Sequence, residues 1–64
     1  MRQFMQFFQY DHLPPALQEV SRPFCVMAAH LVETLPANPE STVAMRKLME
    51  AKDCAVRAAL YKSL

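Results

Sequence analysis

Lys52 is the position with the most chemical potential in this chain. On a helix turning 100° per residue it sits in the middle of an apolar face, among Leu48, Met49 and Val56. An unpaired ammonium is costly to bury. A lysine so placed must snorkel to water, pair with a carboxylate, or meet an anionic ligand such as a phosphate. Arg46, Glu50, Asp53 and Arg57 form a second strip at i, i+4, i+7 and i+11. Arg46–Glu50 and Asp53–Arg57 are expected ion pairs, each contributing about 0.2–0.5 kcal/mol. That strip reads either as a solvated salt-bridge face or as an arginine-bearing anion site, because the guanidinium fork suits phosphate. Lys47 falls on the opposite, exposed side. Tyr10 and His12 lie at a chain junction, where a ring can stack on a nucleobase or simply pack in a local turn. His30 lies beside an apolar stripe and is expected to be structural. No Ser–His–Asp set, carboxylate pair or glycine-rich phosphate loop is present, so no catalytic residues are assigned and enzyme activity is not expected.

These residues need helices to hold them. The sequence divides at its prolines into an aromatic-rich lead (residues 1–12), a first helix (13–35), a short turn, and a second helix (39–62). Leu17, Val20, Phe24, Met27, Ala28, Leu31 and Leu35 recur at the three–four spacing of a helix with one buried face. Pro15 fits the first helical turn, where its missing N–H costs nothing. Pro23 removes a hydrogen bond mid-helix, yet the stripe runs in phase across it, which predicts one kinked helix rather than two. In the second helix Asn38 suits the N-cap, Pro39 the first position, and Glu40 the positive end of the dipole. Its apolar face is Met45, Leu48, Met49, Val56, Ala59 and Leu60, and the small residues Ala28, Ala55 and Ala59 favour close approach of the two helices. A turn this short makes the helices antiparallel neighbours. The expected fold is therefore all-α: a single-domain antiparallel two-helix hairpin with a short aromatic N-terminal segment. In the lead, Phe4 and Phe8 are one helical turn apart, beside Met1 or Met5. Phe4, Phe7, Phe8 and Tyr10 exceed what a hairpin stripe can bury, so they are expected to divide between their own hairpin and another chain.

Size and composition bound the partners. Sixty-four residues make a core too small to be comfortable without a staple. Two cysteines, Cys25 and Cys54, allow one disulfide at most, and no Cys/His cluster points to a metal or cofactor. Oligomerisation is the remaining source of stability. The net charge of +1 is a poor footprint for DNA. No run of eighteen apolar residues exists for a membrane span, and the start at Met1-Arg2-Gln3-Phe4 is too interrupted for a secretory signal. A cytosolic protein with reduced thiols is expected.

Two stretches carry a resemblance. One is Tyr10-Asp11-His12-Leu13-Pro14-Pro15-Ala16-Leu17-Gln18-Glu19-Val20-Ser21-Arg22-Pro23-Phe24. The other is Leu35-Pro36 followed by the run from Pro39 to Ala58, including Leu48-Met49-Glu50-Ala51-Lys52-Asp53-Cys54-Ala55-Val56-Arg57-Ala58. Together they resemble short phage and prophage proteins of the anti-CBASS and Thoeris anti-defence hairpin family, over roughly residues 7 to 60. That resemblance implies a sponge. Such proteins bind the cyclic di- or trinucleotide signals of bacterial immune systems and hold them uncleaved, in the cytoplasm of the infected host. They form homo-oligomers, hexamers in the known cases, with ligands between protomers. It further implies an aromatic residue stacking on a base, for which Tyr10 is the candidate with His12 beside it. Lys52 or Arg57 would meet phosphates, with Arg46 and Thr42 as weaker candidates. The alternative is a small oligomerising helical module that docks on another protein through its aromatic lead. A nucleic-acid binder is a third and weaker reading.

Overall fold

A computed structural model describes residues 1–61. Among them the chain is all-helical: a 3-10 helix at Arg2–Phe8, then α1 at Pro15–Thr34 and α2 at Pro39–Leu60. The two long helices pack against each other as a hairpin, and the 3-10 helix touches both. The expected end of the second helix at residue 62 lies outside the described residues.

Local chemistry explains each boundary. Pro14 is extended ahead of α1, and Pro15 occupies the first helical position. The Pro14 carbonyl accepts from the N–H groups of Leu17 and Gln18 at 2.9 and 3.0 Å. The Gln18 side chain then reaches back, its Nε2 donating to the Leu13 carbonyl at 2.7 Å and the Asp11 carbonyl at 3.3 Å. That clasp fixes the lead against the helix it precedes. Pro23 lies inside α1, which continues through it as one helix. The Glu19 carbonyl therefore lacks its usual backbone donor. Leu35 closes α1 by donating its N–H to the Leu31 carbonyl at 2.9 Å and then turns extended. At the start of α2 the Asn38 Oδ1 accepts from the Ser41 N–H, and Ser41 Oγ accepts from the Asn38 N–H, each at 2.9 Å. This reciprocal capping box uses serine where glutamate or glutamine is usual, and the short side chain lets Ser41 stay buried.

The core takes one fully buried apolar side chain from each segment: Phe8 from the lead, Ala28 from α1 and Met45 from α2. Around them pack Met1, Phe4, Met5, Phe24, Cys25, Leu31, Val32, Leu48 and Met49. In a 3-10 helix residues three apart eclipse. Phe4 therefore meets Phe7, with ring centroids 6.4 Å apart and planes tilted by 58°, instead of pairing with Phe8 as an α-helical turn would have it. Phe8 instead points into the core, while Phe7 is half exposed.

The buried arc of α1 differs from the expected stripe. It runs through Ser21, Phe24, Cys25, Ala28, Leu31 and Val32, and Met27 is left 48% exposed. The reason is that α1 faces two partners, α2 and the 3-10 helix, which turns its covered side toward Cys25 and Val32. In α2, Ala59 and Leu60 are exposed rather than part of the packed face. Counted outward from the turn, Pro15 is level with Ala58, so both residues pass beyond the start of α1. Both cysteines are free thiols, Cys25 half-buried and Cys54 exposed.

Candidate functional site

The lead, α1 and α2 meet around a recess of about 220 Å³ at the end of the hairpin away from the turn. Gln6, Phe7, Gln9, His12 and Leu13 line it from the N-terminal side, Ser21 from α1, and Lys52, Asp53 and Val56 from α2. Ser21 and Lys52 lie at the same level of the two helices, which places them on facing walls. The lead is held over this end by Phe8 in the core and by the Gln18 clasp.

Lys52 resolves toward one of its three possibilities. Its ammonium donates to the Asp53 Oδ1 at 2.7 Å, with the lysine side chain 15% and the aspartate 44% exposed. The carboxylate is thus the more accessible partner. The ion pairs expected along the strip rearrange. Asp53 serves Lys52 and not Arg57, and Glu50 takes Lys47 at 3.6 Å and not Arg46. Lys47, at 71% exposure, is nevertheless the solvated residue expected. Arg57 is exposed and donates from Nη2 to the Cys54 Sγ at 3.3 Å.

Ser21 is the residue that sequence reasoning missed. It is 1% exposed, and among the described residues its Oγ has no hydrogen-bond partner. A helical serine commonly bonds the carbonyl four residues back; this one does not. A buried hydroxyl left in this state costs about 1–3 kcal/mol, so it calls for a partner such as a water or a ligand. The signal in the sequence was its place one heptad before Ala28, a polar residue on the buried arc. Gln6 and Gln9 were also missed, because isolated glutamines in a short lead carry no pattern.

The six candidate residues separate. His12 and Lys52 line the recess. Tyr10 is half-buried next to two lining residues, Gln9 and His12, and one face of its ring carries the Arg22 guanidinium, 5.9 Å from the centroid. Stacking on Tyr10 therefore has to use the other face. Arg57 lies one residue beyond the lining Val56. Thr42 and Arg46 are near the turn, about 15 and 9 Å along α2 from Lys52 at 1.5 Å per residue. They do not join Lys52 around a single group within one chain.

A second concavity, about 500 Å³ and shallow, lies on the outer side of α1 between Arg22, Pro23, Val26, Met27 and His30. Val26 is 64% exposed there, and His30 faces this groove rather than the core. Among the described residues no cluster of His, Cys, Asp or Glu could hold a metal ion. No described helix is long and apolar enough to cross a membrane. No family model, curated protein or solved structure matches the chain.

Proposed function

We propose that the protein is a phage anti-defence sponge that binds cyclic oligonucleotide immune signals and sequesters them uncleaved in the cytoplasm of the infected cell. The observation that carries this reading is the recess itself: a buried Ser21 hydroxyl, unpartnered among the described residues, and the Lys52 ammonium line it together with Gln6, Gln9, His12 and Asp53. The resemblance of residues 10–24 and 35–58 to anti-defence hairpins supports it. Sequestration requires orientation and affinity without acid–base machinery, and a small recess with a few convergent polar groups supplies that.

The recess is smaller than the roughly 300–1,000 Å³ of pockets that enclose a drug-sized ligand. It accepts one part of a cyclic dinucleotide, and the remainder is covered by a second copy. A symmetric homo-oligomer repeats such a shared site on every protomer, and a hexamer is the order implied by the resemblance. Tyr10 stacks on a base with its free face, and the exposed Arg57 and Arg46 are available to phosphates from either copy. Calorimetry against a panel of cyclic di- and trinucleotides tests the proposal. Binding is expected for at least one, with intact ligand recovered after the complex is denatured. No heat across the panel refutes binding, and recovery of cleaved product refutes sequestration.

One observation favours the second reading, an oligomerising module that docks on another protein: the apolar groove at Pro23, Val26 and Met27. Phe4 and Phe8 belong to the protein's own core and cannot report on such docking. Val26→Glu with Met27→Glu is the appropriate variant. It should abolish capture of a partner while leaving nucleotide binding intact if docking and binding use separate surfaces.

A further inference from the structure

Lys52 is half of a pair, and its carboxylate partner stands nearer the solvent. An incoming phosphate would meet the Asp53 oxygens first and be repelled. A ligand that offers acceptors deep in the recess and donors at its mouth would satisfy both members. We infer that the recess reads a guanine base of the cyclic nucleotide, which deepens the sponge reading above and rests on it.

The argument follows the order of burial. Ser21 is 1% exposed and the Lys52 and Asp53 side chains 15% and 44%, so accessibility rises from hydroxyl donor to ammonium donor to carboxylate acceptor. Around its rim guanine presents the N7 and O6 acceptors on one edge, and then, past the O6 corner, the N1–H and N2–H₂ donors on the adjoining edge. Ser21 Oγ–H donates to N7, which supplies the missing partner. The Lys52 ammonium donates to O6, and it has protons to spare beyond the one given to Asp53. Asp53 accepts from N1–H and N2–H₂ as a two-oxygen acceptor. Adenine fails at the second step, because its N6–H₂ donor would face the Lys52 donor. Uracil has no N7 to satisfy Ser21. Phe7, Leu13 and Val56 supply apolar wall for the base, while Gln6 and Gln9 can donate or accept around the ring. The volume of about 220 Å³ suits a single base and excludes a whole dinucleotide.

The test is titration calorimetry of the full chain at one salt concentration against cyclic di-GMP, cyclic di-IMP, cyclic di-AMP and cyclic di-UMP. Cyclic di-GMP should bind at least about tenfold more tightly than cyclic di-AMP or cyclic di-UMP, the discrimination expected of one good bidentate base contact. Cyclic di-IMP, which lacks the N2 amino group, should fall between. Asp53→Asn, which leaves Lys52 to discriminate against adenine, should bring cyclic di-GMP and cyclic di-IMP to within about threefold of each other. Equal affinity across the wild-type panel, or an adenine preference, overturns base reading while leaving the sponge intact. Absence of binding to all four, together with no binding to cyclic trinucleotides, overturns both. The cyclic di-IMP comparison needs no variant, so a destabilised Asp53→Asn protein does not remove the test.

Discussion

Ser21→Ala should make the empty protein more stable and its complex weaker. The wild-type hydroxyl is 1% exposed and has no partner among the described residues, so it bears a desolvation cost of about 1–3 kcal/mol. Alanine removes that cost and adds helix propensity worth a few tenths of a kcal/mol. The void left by one oxygen sits beside an existing recess and adds little. A net gain of about 1–2 kcal/mol is therefore expected. For a domain of this size that is an upward shift of about 4–8 °C in Tm per kcal/mol. Thermal unfolding followed by circular dichroism reads it, at matched protein concentration because an oligomer's Tm depends on concentration. The same variant should lose affinity for its nucleotide, since the ligand would leave its own acceptor unpaired in the recess. If Ser21→Ala lowers the Tm, the hydroxyl already has a partner in the free protein. The argument from an orphaned donor is then wrong.

Other outcomes follow from named contacts. Asn38→Ala removes the reciprocal cap on α2 and should cost about 1 kcal/mol, measured by urea unfolding. Met45→Ala empties the centre of the core and should cost about 2–5 kcal/mol, enough to unfold much of the population at 37 °C. Tyr10→Ala should weaken nucleotide binding by about 1–3 kcal/mol if its ring stacks on a base, whereas an unchanged Kd assigns the ring to its Arg22 contact alone. Sedimentation at micromolar concentration should show an oligomer; a stable, well-folded monomer would remove the shared site.

The helices were legible because their signals are local. Asn38, Pro39 and Glu40 mark the start of α2 with residues whose chemistry suits no other position so well, and Pro15 does the same for α1. The face of α1 was less legible. Periodicity locates an apolar stripe but cannot say that a third segment will cover one side of it, and so Met27 was expected inside and lies outside. The lead misled for a related reason: α-helical spacing pairs Phe4 with Phe8, and a 3-10 helix pairs Phe4 with Phe7. At the recess, Lys52 stood out because a charge on an apolar face breaks the pattern. The identity of its partner did not, because Asp53 is one residue away, where helix spacing rules place no neighbour. Ser21 becomes legible only once the covered arc of α1 is known.

The core draws one fully buried apolar residue from each of three segments, and this has a consequence for how the chain matures. Phe8 leaves the ribosome ahead of Met45, which builds part of its seat from α2. Until α2 has been synthesised, the aromatic lead can rest on α1 alone, and Phe8 lacks the wall that Met45 supplies. Closure is thus a late, concerted event, and an arrested chain ending before Met45 should expose its lead to protease while the complete one protects it.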